Sequence, residues 1–230
     1  YGAKVVILDT NETQLREINQ QYPSIATLVC DVSDGMQVRS AASRIEQETG
    51  PVSFLMHGAA IMPGAPLLNM PPETTIKVMR INYFGTVEIA NAFLPAMLER
   101  RAGTFVAFGS VVGEIPIIKF GAYGASKAAT NYYMKVLMDE HRHSGLQLLL
   151  VCPPAVNTPL IDQAISQGPG QLKEMKAGKR RMMTPEAVLD AVEKALLRKQ
   201  KIVYPGEAKI MQLAWRFIPT LVRYVTLTTN

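Results

Sequence analysis

The chain has 230 residues, 48% of them hydrophobic, and a formal charge of +5 from 24 basic and 19 acidic side chains. That length buries one substantial core and is short for two ordinary domains. The basic residues are dispersed, and the runs at 179–181 and 198–201 read as solvated helix ends, which argues against a nucleic-acid partner. There is no signal-peptide pattern and no run of 18 uninterrupted apolar residues to cross a bilayer.

In chain order, residues 4–8 form an apolar strand ending at Asp9, and Thr10 or Asn11 caps the helix that follows. A short strand at 27–29 leads into Asp31 and Val32, and a third at 54–57 ends on His57. Pro72 and Glu73 start a helix whose continuation carries Asn82. Residues 104–108 read as a buried strand that turns at Gly109 and leaves Ser110 at its end. The next helix carries Tyr123 and Lys127, and a fifth strand at 146–151 precedes the segment from Pro153 to Thr158. Thr184, Pro185 and Glu186 supply a cap, a first-position proline and a first-turn acid, and residues 202–204 are the last strand. Strands alternating with helix-length segments predict an α/β fold: a doubly wound parallel sheet, three layers, in a single domain over residues 1–230. The two cysteines, Cys30 and Cys152, each follow a strand and read as core thiols in a reducing, cytoplasmic compartment. His141 and His143 diverge and His57 stands alone, so no metal site is expected.

Tyr123 and Lys127 are four apart and share a helix face, where a cation supports a phenol that gives or takes a proton. Ser110 lies at the C-terminal edge of a strand, the edge at which open α/β sheets bind ligands. A serine followed by Tyr-x-x-x-Lys, with Asp31-Val32, Asn82 within Ile81-Asn82-Tyr83-Phe84-Gly85, and Pro153 to Thr158, resembles the short-chain dehydrogenase/reductase family along nearly the whole chain.

The resemblance implies a Rossmann-like fold and hydride transfer between a nicotinamide cofactor and a carbonyl or secondary alcohol. Tyr123 would be the general acid or base, and Lys127 would lower its pKa and hold the nicotinamide ribose. Ser110 would steady the substrate oxygen, and Asn82 would hold a water that relays protons from Lys127. Asp9 would take the adenosine ribose hydroxyls, which favours NAD, with NADP not excluded. Asp31 and Val32 would form the adenine pocket, Ala59 and Val156 would offer backbone, and Thr158 would meet the carboxamide. Homodimers or homotetramers through the helices around 73–99 and 123–143 are implied as well.

Three departures from that pattern stand out. No G-x-x-x-G-x-G or G-x-G-x-x-G turn occurs, and residue 1 leads almost directly into what would be the family's second strand. The expectation is that roughly 30 residues are missing, comprising one strand, its glycine-rich loop and most of a helix. His57-Gly58-Ala59-Ala60 stands where the family usually shows Asn-Asn-Ala-Gly, and Pro153-Pro154 where it usually shows Pro-Gly.

Residues 159–183 are long for a connection and contain Met175, Met182 and Met183, which fits a lid over an apolar substrate. Residues 208–230 are apolar and aromatic but are interrupted by Lys209, Arg216, Pro219 and Arg223. They would pack on the same domain or a second subunit, roof a lipid-sized pocket, or lie on a membrane surface rather than span it. The leading expectation is an oxidoreductase acting on an apolar, lipid-like carbonyl or alcohol. The alternative is a catalytically inactive scaffold of the same fold.

Overall fold

The computed structural model describes residues 2–164 and 182–228, with residues 168, 170, 172, 174, 177 and 178 between them. In chain order the strands are β1 (Val5–Asp9), β2 (Ile25–Val29), β3 (Phe54–His57), β4 (Gly103–Phe108), β5 (Leu146–Val151) and β6 (Ile202–Val203). The helices are α1 (Glu12–Gln21), α2 (Gly35–Thr49), α3 (Pro72–Met79), α4 (Gly85–Glu99), α5 (Gly121–Glu140), α6 (Pro185–Leu197), α7 (Ala208–Phe217) and α8 (Pro219–Thr228). The expected caps form: Asn11 accepts from the Gln14 amide, and Thr184 from the Ala187 amide. Residues 198–201 follow the end of α6, while 179–181 lie outside the described residues.

All strand pairs are parallel. Buried side chains of β4 and β5 alternate between two faces, as a period of two requires. Phe105, Ala107, Leu148 and Leu150 join α2, α4 and α5 in one core layer. Val106, Leu149 and Val151 pack on Val188, Val192 and Ala195 of α6 in the other. The three-layer α/β/α expectation is therefore met.

The sheet is not continuous. Among the described residues β1 pairs with β2 alone, while β3, β4, β5 and β6 form a separate four-stranded sheet. Between them lies a slot of about 840 Å³, lined by β1 from Val5 to Leu8, β3 from Phe54 to His57, and Ile45, Ile89, Phe93 and Phe108. None of the described strands enters it. Among the described residues, the β1 and β3 edges that face it have no hydrogen-bonded neighbour.

Candidate active site

Asp9, Asp31, Val32, Ala59 and Ser110 lie at or within three residues of the C-terminal end of a strand, Val156 and Thr158 lie in the connection after β5, and Asn82, Tyr123 and Lys127 are helical. Ser110 follows β4, its backbone extended, and its Oγ accepts from the Val112 amide at 3.1 Å to cap the short turn Val111–Gly113. That turn packs tightly on α5: a methyl at Gly109 would collide with Asn131 Oδ1, and one at Gly113 with the Lys127 backbone. The two glycines thus let Ser110 approach the helix that carries Tyr123 and Lys127.

Ser110, Tyr123 and Lys127 are all buried. The Lys127 ammonium donates to the Phe108 carbonyl at 2.7 Å and lies 5.9 Å from the centre of the Tyr123 ring. Burial pushes the Tyr123 phenol up to about 12, while a hydrogen bond with Ser110 pulls the other way and Cys152 adds a smaller push upward. Burial brings the Lys127 ammonium down to about 8. The sequence-based expectation had Lys127 lowering the phenol. Here desolvation outweighs the hydrogen bond with Ser110, and Tyr123 holds its proton at neutral pH. A phenol that keeps its proton can give one, and it accepts one only after ionising, which an added positive charge nearby favours.

Asn82 sits in a π-helical segment, Arg80–Phe84, between α3 and α4 and is fully buried. Its Nδ2 donates to the Ile61 carbonyl and to Ser126 Oγ, both at 2.9 Å, and its Oδ1 accepts from the Ile61 amide at 2.8 Å. Its own carbonyl accepts from Thr86 and Thr130 hydroxyls. Both amide hydrogens are thereby used, while Thr130 shares its one hydroxyl hydrogen between the Asn82 carbonyl at 3.2 Å and the Ser126 carbonyl at 3.0 Å. The geometry gives Asn82 a positioning role, pinning the loop after β3 to α5. Asn82→Ala orphans both polar groups of Ile61 and is expected to lower stability by about 3 kcal/mol, read from urea midpoints.

One residue escaped the sequence reading. Asn131, four residues beyond Lys127 on the same face of α5, donates to the Ser110 carbonyl at 3.0 Å and is approached by Cys152 Sγ at 3.7 Å. The repeated spacing of four from Tyr123 through Lys127 was the available signal. Glu114, next along, accepts from Lys135 at 2.9 Å and from the Tyr204 hydroxyl, tying the turn after Ser110 to α5 and to the end of β6.

The expected cofactor residues fall into three groups. Asp9 and Asp31 share one end of the β1–β2 pair, where the Cys30 amide donates to the Asp9 carbonyl. Asp9 Oδ1 accepts from the Asn11 amide, and Asp31 Oδ1 accepts from the amide and hydroxyl of Ser33. Val32 and Ala59 line the slot, as does Phe108, whose carbonyl holds Lys127. Val156 bridges to Met183, and Thr158 precedes the turn Pro159–Gln163 without using its side chain as a cap. His57 also lines the slot. It is buried, its Nε2 has no partner among the described residues, and burial together with the Lys127 charge drops its pKa to about 3.

Ile161, Ala164 and Leu172 pack with Met62, Phe120 and Tyr123, and Met182 packs against that cluster. Met175, another part of the expected lid, lies outside the described residues. No group of three or more acidic, histidine or cysteine side chains able to hold a metal occurs among the described residues.

A family model described as short chain dehydrogenase matches residues 1–168. The chain is 30% identical over 212 residues to dehydrogenase/reductase SDR family member 7B of Bos taurus, covering 88% of this chain and 65% of that protein. The Rattus norvegicus counterpart is 30% identical over 240 residues, covering 97% and 69%. The probable oxidoreductase EphD of Mycobacterium tuberculosis is 28% identical over 215 residues, covering 87% of this chain and 36% of its own length. The chain thus spans about two thirds of the length of the mammalian relatives. A short-chain dehydrogenase from Burkholderia cenocepacia, solved in complex with NADP, superposes with a TM-score of 0.80 at 21% identity, covering 98% of this chain and 87% of that one. Another from Streptomyces avermitilis gives 0.79 at 22% identity, covering 100% and 90%. With its serine, tyrosine and lysine gathered in one buried cluster and its family model matched over most of its length, the chain belongs to the short-chain dehydrogenases, a family of oxidoreductases.

Proposed function

We propose that the protein moves hydride between a nicotinamide dinucleotide and a carbonyl or secondary alcohol on an apolar, lipid-like substrate. The observation that carries this reading is the buried Ser110–Tyr123–Lys127 cluster with its proton on the phenol. Ser110 orients the substrate oxygen and steadies charge developing there, and Tyr123 delivers the proton to that oxygen during reduction.

The residues present suit the cofactor. Lys127 spends one of its three donors on Phe108, leaving two for ribose hydroxyls. Asp9 would take the adenosine ribose, Asp31 and Val32 the adenine, Ala59 and Val156 backbone contacts, and Thr158 the carboxamide. Bound nicotinamide supplies or accepts the hydride. The reading also needs a strand and glycine-rich turn in the slot between β1 and β3. Asp9 favours NAD over a 2'-phosphorylated cofactor.

Apolar specificity is supported by Met62, Phe120, Ile161 and Leu172 around Tyr123, with residues 159–183 acting as the lid. A second apolar pocket of about 410 Å³ lies between the start of α5 and the C-terminal helices, lined by Phe120, Gly121, Trp215 and Leu227 among others. Exposed Phe84, Tyr132 and Val136 on the π-helical segment and α5 offer a face for a homodimer or homotetramer. In a reduced-nicotinamide absorbance assay of the full natural protein with 2-ketones, kcat/KM is expected to rise up to about fourfold per added methylene, with NAD(H) preferred. A flat or falling series would end the apolar reading. No cofactor heat in calorimetry and no turnover of any ketone would favour a catalytically inactive scaffold of the same fold instead, a reading that draws on the departures at Gly58, Ala60 and Pro154.

A further inference from the structure

The two C-terminal helices present different chemistry on their two sides. Ala208 is buried, and it, Met211, Trp215 and Val222 pack against Val111, Ile115, Val112 and Ile117 of the turn that follows Ser110. The outer side carries Ile210 at 71% exposure, Phe217 at 73% and Leu221 at 55%, with Leu213 and Ile218 also exposed. Lone exposed apolar residues are ordinary, but five within twelve positions on adjoining helices are a density of the kind that meets a partner.

Charge identifies that partner. Residues 208–230 contain Lys209, Arg216 and Arg223 and no aspartate or glutamate. Lys209 and Arg216 are exposed, and the Arg216 guanidinium sits 5.8 Å from the Phe217 ring centre, so cation and aromatic ring occupy one neighbourhood. α7 and α8 are 10 residues each and are separated by a break at Ile218 before Pro219. At about 1.5 Å per residue each reaches roughly half a hydrocarbon core, and no described helix is long and apolar enough to cross a membrane. Short amphipathic helices with aromatic and aliphatic side chains between cations lie in the interface plane of anionic bilayers.

We infer that α7 and α8 dock the protein on the surface of an anionic lipid bilayer, with Ile210, Phe217 and Leu221 in the acyl boundary and Lys209 and Arg216 against the headgroups. The opposite side of the same helices stays packed on the turn after Ser110, so docking places the catalytic cluster close to the membrane. This inference stands apart from the hydride-transfer reading, because it uses no catalytic residue and survives the loss of activity.

The test is co-sedimentation of the full chain with vesicles of phosphatidylcholine alone and of phosphatidylcholine with 30% phosphatidylserine. The protein is expected to pellet with the anionic vesicles and to be released as salt is raised. Lys209→Glu with Arg216→Glu should weaken partitioning about thirtyfold or more, and Phe217→Ser with Leu221→Ser about tenfold or more. Melting curves matching the wild type certify that each variant is folded. Binding to both vesicle types alike, binding unchanged in either double variant, or no binding at all would overturn the inference. So would absence from the pellet together with a concentration-dependent dimer in sedimentation velocity that Phe217→Ser with Leu221→Ser abolishes, since the patch would then belong to a second copy.

Discussion

Tyr123→Phe is expected to lower kcat for ketone reduction by about 10³-fold while leaving KM for the ketone nearly unchanged. The substitution removes one oxygen and leaves the ring in place, packed 5.7 Å from Phe120 and covered by Ile161 and Leu172. The substrate pocket therefore keeps its shape, and only the proton donor goes. Stability should fall by about 1 kcal/mol at most, from the hydrogen bond shared with Ser110. Lys127→Met should be as damaging to turnover but opposite in its effect on folding. The ammonium is buried and its pKa depressed to about 8, so its charged form opposes folding at neutral pH by about 3 kcal/mol. Turnover and melting temperature move together if the cluster is merely structural; for Lys127→Met they should part. A Tyr123→Phe enzyme with undiminished kcat would remove the proposed mechanism.

The second large effect is an acid instability that starts from His57. Its ordinary pKa is 6.5 and its folded value about 3, depressed by burial and then by the charge on Lys127. Below pH 6.5 the unfolded chain takes up a proton that the folded chain refuses. Stability from this group is complete above pH 6.5 and is lost as pH falls. Between pH 6.5 and 4 the loss is about 3 kcal/mol. His57→Gln keeps a polar group of similar reach and cannot titrate, so its urea midpoint should decline less steeply over that range. Carboxylates titrate in both proteins and cancel in the comparison. Parallel pH profiles for the two proteins would show that His57 does not carry the effect.

The primary sequence was enough to place β3 and β5 to the residue, because their apolar runs are bounded by turn residues on both sides. β1, β2, β4 and β6 were placed within one or two residues, where pairing with a neighbour extends or trims a strand beyond its own apolar run. The Tyr123–Lys127 pair was equally legible, since a spacing of four on a helix is a local property. Asn131 obeys the same spacing but escaped notice, because its meaning comes from the Ser110 carbonyl 21 positions away.

What the chain determined by itself was local: strand and helix positions, caps, and the residues that face together along α5. What only the tertiary structure decided was environmental. Burial, a property of everything packed around a group, set Tyr123 near 12 and Lys127 near 8. The same holds for Asn82, whose side chain became a pin once the loop after β3 closed on it, and for the two sheets whose facing edges leave a slot between β1 and β3. Hydrogen-bond partners and dielectric are long-range consequences of packing, and no periodicity in the sequence encodes them.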